Sequence, residues 1–321
     1  MSTYLWVMAA GSLLVFALYG LRCARAFRLP QLRARAWETA LLSFLFSAVF
    51  GTVLARIGYA LLMLELDFEY EGIAALEQLL VFETGNVSFL CGASGVCLGV
   101  LLANRLARKG SVPEGLDAFA PFGALLAALF RMGECFLGSY GAGRSLPEGS
   151  PLAFFPLALK IDIDGGYTSW DWAVCVLSAA FALLWAAIAF YRLRSRGRAG
   201  LSFTLTLFFL ALPQVFCESL RKDGMFWLFV HVEQLLCAVV LAGVLLFWTV
   251  QSGKKLPFLR RWGPMLVFLL CVVLLVLTEF LIDGKIMDVP RSVCYAFMCA
   301  VLVALGAAGA AAAGRWNREK P

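Results

Sequence analysis

Nine stretches of this chain are continuously apolar for long enough to cross a bilayer. They lie near 4–22, 38–64, 84–104, 116–138, 171–191, 201–219, 227–249, 263–283 and 291–313. A hydrocarbon core of about 30 Å takes about 20 helical residues. Inside it every backbone polar group must be bonded internally, which leaves only helices or closed barrels. The runs are unbroken rather than alternating, so the expectation is an all-α polytopic membrane protein with about nine transmembrane helices. With 62% hydrophobic and 15% charged residues and a mean hydropathy of +0.84, the chain lies far from soluble composition.

The connections carry an orientation signal. Arg22, Arg25, Arg28, Arg33 and Arg35 follow the first run; Arg105, Arg108 and Lys109 the third; Arg192, Arg194, Arg196 and Arg198 the fifth. Lys254, Lys255, Arg260 and Arg261 follow the seventh, and Arg315, Arg318 and Lys320 the ninth. Alternate connections hold Glu65, Asp67, Glu69 and Glu71, a Gly- and Pro-containing loop around 139–170, and short turns near Lys222 and Lys285. The positive-inside rule then places the N-terminus outside and the C-terminus in the cytosol. The net charge of +6 sits mostly in loops that face anionic lipid, and no nucleic acid partner is implied. The first run lacks a basic n-region and is expected to stay as an anchor. The ten cysteines lack CxxC spacing and read as small packing residues; no metal or cofactor pattern appears. A monomer is expected.

The charges that fall inside the runs point to function. Arg56, Arg131, Glu134, Glu218, Arg221, His231 and Glu233 come from four runs and gather at one expected end, the outward one. Charges in membrane spans are costly, face a protein interior or an aqueous cavity, and tend to be functional. Each has a plainer explanation: arginines snorkel to headgroups, Arg131 and Glu134 at i, i+3 form a surface ion pair, and a lone histidine at a helix start is more often structural. His231 and Glu233, two apart, do not share a helix face. The four glycines Gly133, Gly138, Gly141 and Gly143 between Arg131 and Arg144 suit either close packing or a built loop. Glu279 and Asp283, at the end of the eighth run, are expected to meet water.

An ordered set of short motifs carries a resemblance. Arg131, Gly133, Phe136, Gly138, Gly143 and Arg144 form a glycine-rich segment closed by Gly-Arg, and Leu116, Asp117, Ala120 and Pro121 open the same helix. Gly51, Ala55, Arg56, Gly58 and Tyr59 end the second run; Tyr4 precedes Gly11 by seven residues. Gly85, Ser88, Phe89, Gly92, Gly95 and Val96 come next, then Glu218, Arg221 and Asp223, and Gln234. Taken in chain order from residue 4 to about 248, they resemble the prolipoprotein diacylglyceryl transferases of the bacterial cytoplasmic membrane. The departures are specific. Leu90 stands at that family's histidine, Glu134 at its signature asparagine, and Gln214 at an arginine; Ser169, Trp170, Asp171 and Trp172 replace a His-Pro-Ser segment. The resemblance divides the chain into a seven-helix core, 1–252, and two additional helices, 253–321.

The resemblance implies transfer of a diacylglyceryl group from phosphatidylglycerol to the thiol of a lipobox cysteine at the outer leaflet of the plasma membrane. The partners are thus an anionic phospholipid and a prolipoprotein signal peptide. Such chemistry needs guanidinium groups to hold a phosphodiester and to stabilise the charge that grows on it. Arg131 and Arg221 are the first choices, with Arg144 and Arg56 in support; Tyr4, Gly138, Gly143 and Gln234 complete the substrate-binding set. With Leu90 in the histidine position, the proton acceptor is one of Glu134, His231, Glu218 and Glu233, Glu134 being placed first. The alternatives are a paralogue acting on another lipid or acceptor, and a catalytically inactive lipid-binding protein. A transporter is disfavoured because no inverted repeat or paired broken helices are visible.

Overall fold

The computed structural model describes residues 2–25, 30–62, 87–107, 112–163, 167–193, 197–222, 226–227, 230–252, 257–284, 287 and 289–318. The acidic residues Glu65, Asp67, Glu69 and Glu71, the motif residues Gly85 and Asp223, and the loop charges Arg28, Arg108, Lys109, Arg194, Arg196, Lys254, Lys255, Lys285 and Lys320 lie outside the described residues.

Among the described residues nine helices are long and apolar enough to span a membrane. They are α1 (Ser2–Arg25), α2 (Pro30–Leu62), α3 (Phe89–Ala107), α4 (Val112–Gly133), α5 (Val174–Arg192), α6 (Leu201–Leu220), α7 (Val232–Gln251), α8 (Phe258–Ile282) and α9 (Arg291–Arg318). Pro30 opens α2, where a missing N–H costs nothing. Pro121 in α4 and Pro213 in α6 lie in the interior of their helices. Spans tolerate this because neighbouring groups satisfy the freed carbonyls.

Close packing rests on small residues. A Cβ on Gly99 of α3 would lie 2.5 Å from the Ser47 backbone nitrogen of α2, and Gly95 abuts the Phe50 carbonyl in the same way. Spacing of three and four residues puts Gly92, Gly95 and Gly99 on one face, so α2 and α3 approach backbone to backbone. The Ser47 hydroxyl seals the contact by donating to the Val96 carbonyl, 3.2 Å.

Among the described residues two buried clusters organise the bundle. Phe16 and Tyr19 of α1 pack on Phe119 and Phe122 of α4, with Ala36 and Ala40 of α2 beside them. The second joins Leu205 and Phe208 of α6, Leu241 and Trp248 of α7, Phe268 and Cys271 of α8, and Met298 and Leu305 of α9. The last two helices therefore share one core with α6 and α7. At the far end from the charged residues, Asp117 of α4 caps α6: its carboxylate accepts from the N–H groups of Gly200 (2.7 Å) and Phe203 (2.8 Å). Those donors belong to the first turn and have no partner within the helix. Gly200 turns into α6 at φ +89°, the left-handed region where a side chain is strained.

Among the described residues two antiparallel strand pairs supplement the helices. Strands β1 (Ala158–Ile163) and β2 (Tyr167–Trp172) pair antiparallel with Ala158 opposite Trp172. The expected start of the fifth span at 171 thus moves to Val174, because 167–172 is a strand. Likewise β3 (Phe226–Trp227) and β4 (Val230–His231) form a short hairpin, and α7 begins at Val232 rather than 227.

Candidate active site

The end of the bundle that carries the C-terminus of α4 also carries the C-terminus of α6 and the N-termini of α1, α3 and α7. After Gly133 the chain tightens into two 3-10 turns, Glu134–Phe136 and Gly138–Gly141. Gly138 adopts φ +65° between them. A Cβ on Gly133 would meet the Tyr4 ring at 3.0 Å, so Tyr4 of α1 lies flush on the start of this loop. The loop then passes between α6 and β2. Gly143 N–H donates to the Trp172 carbonyl at 2.7 Å, Trp172 N–H to the Arg144 carbonyl at 3.1 Å, and Arg144 N–H to the Leu220 carbonyl at 3.2 Å.

These constraints bring four charged side chains together. Arg131 Nη1 donates to Glu134 Oε1 at 2.5 Å, and Arg131 Nη2 reaches Glu218 Oε1 at 3.4 Å. Arg221 Nη2 donates to Glu134 Oε2, and Arg221 Nε stands 3.1 Å from Glu218 Oε1. The result is a closed ring of two guanidinium and two carboxylate groups with no net charge. Additional contacts fix each arginine: Phe89 of α3 lies under Arg131, 3.7 Å from ring centre to guanidinium carbon, and the Tyr140 carbonyl accepts from Arg221 Nη1 at 2.7 Å. Gln214, one turn before Glu218, donates to Glu218 Oε1. Arg131, Glu218 and Arg221 are buried and Glu134 partly so, and the Nε–H of Arg131 has no hydrogen-bond partner among the described residues. A buried cation with an unused donor is equipped for an anionic ligand. Burial works against the charge on Arg221, but Glu134 and Glu218 together hold its pKa above the usual arginine value, so it stays protonated.

Glu233 occupies the neighbouring place on the α3 side. Ser88 Oγ donates to its Oε1 at 2.7 Å, and the backbone N–H of Leu90 to its Oε2 at 3.3 Å. A carboxylate thus stands beside Leu90. Arg56 of α2 is buried with its guanidinium 5.6 Å from the Tyr59 ring. It adjoins this side of the site, because the preceding Ala55 carbonyl accepts from Ser88 N–H at 3.0 Å.

His231, Arg144 and Gln234 belong to a second polar group on the side of α8 and α9. Burial pushes the His231 imidazole below its usual range, against the attraction of Glu218, and Arg221 and Arg144 press in the same direction as burial. The Gln234 amide donates to the Val215 carbonyl at 3.1 Å and to Glu279 Oε1 of α8 at 2.7 Å. Glu279, expected to meet water, is therefore half-buried and bonded, whereas Asp283 is exposed. Beside the loop an apolar cavity of about 270 Å³ is lined by Leu157, Trp172, Val174, Leu177 and Leu220. Leu220 and Trp172 are the residues whose backbones pin Arg144 and Gly143.

Of the residues expected from the sequence, Arg131, Glu134, Glu218 and Arg221 lie within bonding distance of one another. Phe89, Tyr140 and Gln214 contribute contacts that were not among the expected ones. Phe89 is visible as a motif residue; Tyr140 contributes a backbone carbonyl, which no side-chain pattern reveals. Among the described residues no group of three His, Cys, Asp or Glu side chains could hold a metal ion.

No curated protein matches the chain in sequence. The family model described as prolipoprotein diacylglyceryl transferase matches residues 1–250, which include α1 to α6, nearly all of α7 and every member of the charged ring, so the chain belongs to that family.

Proposed function

We propose that the protein moves a diacylglyceryl group from a glycerophospholipid to the cysteine thiol of a prolipoprotein, at the outer face of the bacterial cytoplasmic membrane. The observation that carries this reading is the convergence of Arg131 and Arg221 on one carboxylate from opposite sides. Two guanidinium groups so placed make a seat for a phosphodiester, and they stay charged when buried. Phosphatidylglycerol is the donor implied by the family resemblance.

The reaction forms a bond between the thiol sulfur and the terminal glyceryl carbon and breaks the carbon–oxygen bond to phosphate. The electron pair leaves with the phosphate oxygen, where Arg131 and Arg221 meet the growing charge. Glu218 holds both arginines in register. Both oxygens of Glu134 are taken by guanidinium groups, and those of Glu233 by Ser88 and Leu90. His231, outside the ring and held neutral by burial, is our assignment for the acceptor of the thiol proton. The apolar cavity at Leu220 suits part of an acyl chain.

The test is complementation. Membranes from a strain depleted of its own transferase and expressing this chain are assayed for a mass increase on a prolipoprotein. Modification in the wild type and its loss in Arg131→Gln and Arg221→Gln are expected. Unmodified substrate despite full expression, with phospholipid retained by the purified protein, would instead favour a lipid-binding protein without turnover.

A further inference from the structure

We propose that residues 150–157 are an anchor in the membrane interface: they lie among the lipid headgroups on the side of the charged ring and set the depth at which Arg131 and Arg221 meet a lipid phosphate. The anchoring goes beyond the transferase reading and holds with or without turnover; only the depth setting rests on it. The segment Ser-Pro-Leu-Ala-Phe-Phe-Pro-Leu carries no charge. Its large apolar side chains point outward, with Phe154 49% and Phe155 58% exposed and Leu152 and Leu157 close behind. The backbone nevertheless turns on itself. Ala153 N–H donates to the Ser150 carbonyl at 3.1 Å and Phe154 N–H to the Leu152 carbonyl at 2.9 Å, while the Phe154 carbonyl accepts from Leu157 (3.0 Å) and Ala158 (2.9 Å). Leu152 N–H donates to the Ser150 hydroxyl at 3.3 Å. A loop in water needs none of these bonds, whereas apolar surroundings require backbone groups to be paired internally. Exposed apolar side chains on an internally bonded backbone fit a bilayer surface rather than bulk water.

Helix α5 fixes the level of the loop. Its 19 residues rise about 28 Å at about 1.5 Å each, close to the hydrocarbon thickness of about 30 Å, so the bilayer boundary on the ring side falls near Val174. The Leu157 carbonyl accepts from Ala173 N–H at 2.9 Å, which holds the loop at that boundary. The loop is also continuous with a lipid-facing surface. Pro156 and Leu157 border the apolar cavity, whose wall on α5 is Val176, Leu177 and Ala180. At helical spacing from these, Leu183, Leu184 and Ile188 are exposed, so one bilayer covers the stripe and the loop together. A peptide or a second copy of the chain would leave the loop's apolar side chains in water whenever it was absent; the bilayer is always present. The tie to the charged ring runs through backbone. Trp172, next to Ala173, exchanges hydrogen bonds with Gly143 and Arg144, and Arg144 N–H donates to the carbonyl of Leu220, the residue before Arg221. A loop held among headgroups therefore holds Arg221 and its partners at the level of the phosphates.

The test uses the full chain in phosphatidylglycerol-containing nanodiscs with a lipobox peptide present. The photoactivated probe p-benzoyl-phenylalanine replaces Phe155 or, as the comparison, the exposed Asp162 near the turn of the β1–β2 hairpin, and the adducts are identified by mass spectrometry. Phospholipid adducts at 155 should exceed those at 162 by at least about tenfold. Equal lipid yields, no lipid adduct at 155, or capture of the peptide or a second copy in place of lipid would overturn the anchor. For the depth setting, Phe154→Ser with Phe155→Ser should lower transfer to the peptide about tenfold in nanodiscs and leave it within about twofold in detergent micelles, which have no planar interface. Phe154→Leu with Phe155→Leu should restore the nanodisc rate. An equal loss in both media, or no loss in nanodiscs, would overturn the depth setting. If lipid adducts form as expected and the wild type modifies no peptide, the anchor stands and the transferase reading falls.

Discussion

Substituting Gly143 by alanine is the sharpest probe of how the loop holds the charged ring. A Cβ at this position would lie 2.7 Å from the Leu220 carbonyl and 2.7 Å from Val174 Cγ2, roughly 0.7 Å short of ordinary contact at 3.4 Å. One obstacle is backbone at the end of α6 and the other is a buried side chain of α5, so neither yields by a rotamer change. The loop and α6 must separate. That lengthens the Arg144–Leu220 bond, now 3.2 Å, and the Gly143–Trp172 bond, now 2.7 Å. Arg221 follows Leu220 directly and moves with it. Overpacking of this kind costs about 1–3 kcal/mol in stability, and a displacement approaching 1 Å in a catalytic group costs about 100-fold in rate. We expect Gly143→Ala to remain folded in detergent with a modest loss of thermal stability, while transfer to a lipobox peptide drops about 100-fold. Gly149→Asn, farther along the same connection, at φ +74° with nothing within 4 Å of its Cβ and a side chain that tolerates positive φ, should keep activity within about threefold. Unaltered activity in Gly143→Ala, or equal losses in the two variants, would refute the view that this packing positions Arg221.

Three other outcomes follow from the geometry. If His231 takes the thiol proton, activity falls as acid protonates it; because burial lowers its pKa from 6.5, the midpoint of the acid limb should lie below that value, and His231→Gln should remove the limb. Asp117→Ala strips two hydrogen bonds from the first turn of α6 and should cost about 1–2 kcal/mol, read by thermal unfolding in detergent. A double-mutant cycle of Gln234→Leu and Glu279→Leu should give a coupling of about 1 kcal/mol; a coupling near zero would mean the 2.7 Å contact does not join α8 to the core.

What the sequence makes legible follows from the physics of the bilayer. Nine spans can be read because an unbroken apolar run has few other fates, and the four ring residues stand out because buried charge is costly enough to need a reason. The pattern of pairing is not legible. Arg131 and Glu134 are three apart on one segment, but Glu134 is shared with Arg221, 87 positions away, and nothing in local spacing specifies that. The end of the strand at 167–172 reads as the start of a span because aromatic and apolar residues run on from it into α5; its register with β1 is a tertiary fact. Glu279 reads as water-facing because it lies near the end of a run. Its bond to Gln234 depends on which face α8 turns toward α7, which averaged hydropathy does not encode.

That bond also bears on how α8 and α9 relate to the region matched by the family model. In water, the apolar surface that α6 and α7 share with them would by itself bind the pair firmly. In a bilayer the same surface meets acyl chains equally well, so apolar burial supplies little preference for protein over lipid. Specificity must then come from close packing and polar contacts. Close packing is present at Gly309, which abuts the Phe208 ring. The polar contacts lie at both ends of the bundle. At one, Glu279 bonds Gln234 at 2.7 Å. At the other, the Asn317 side chain accepts from Arg198 N–H at 2.9 Å, and the Arg198 guanidinium stacks on Trp316. Gln234 is adjacent in sequence to Glu233, which faces Leu90, so α8 reaches the charged site through a single intervening residue. On this arrangement the additional helices brace one side of the site rather than forming an independent unit.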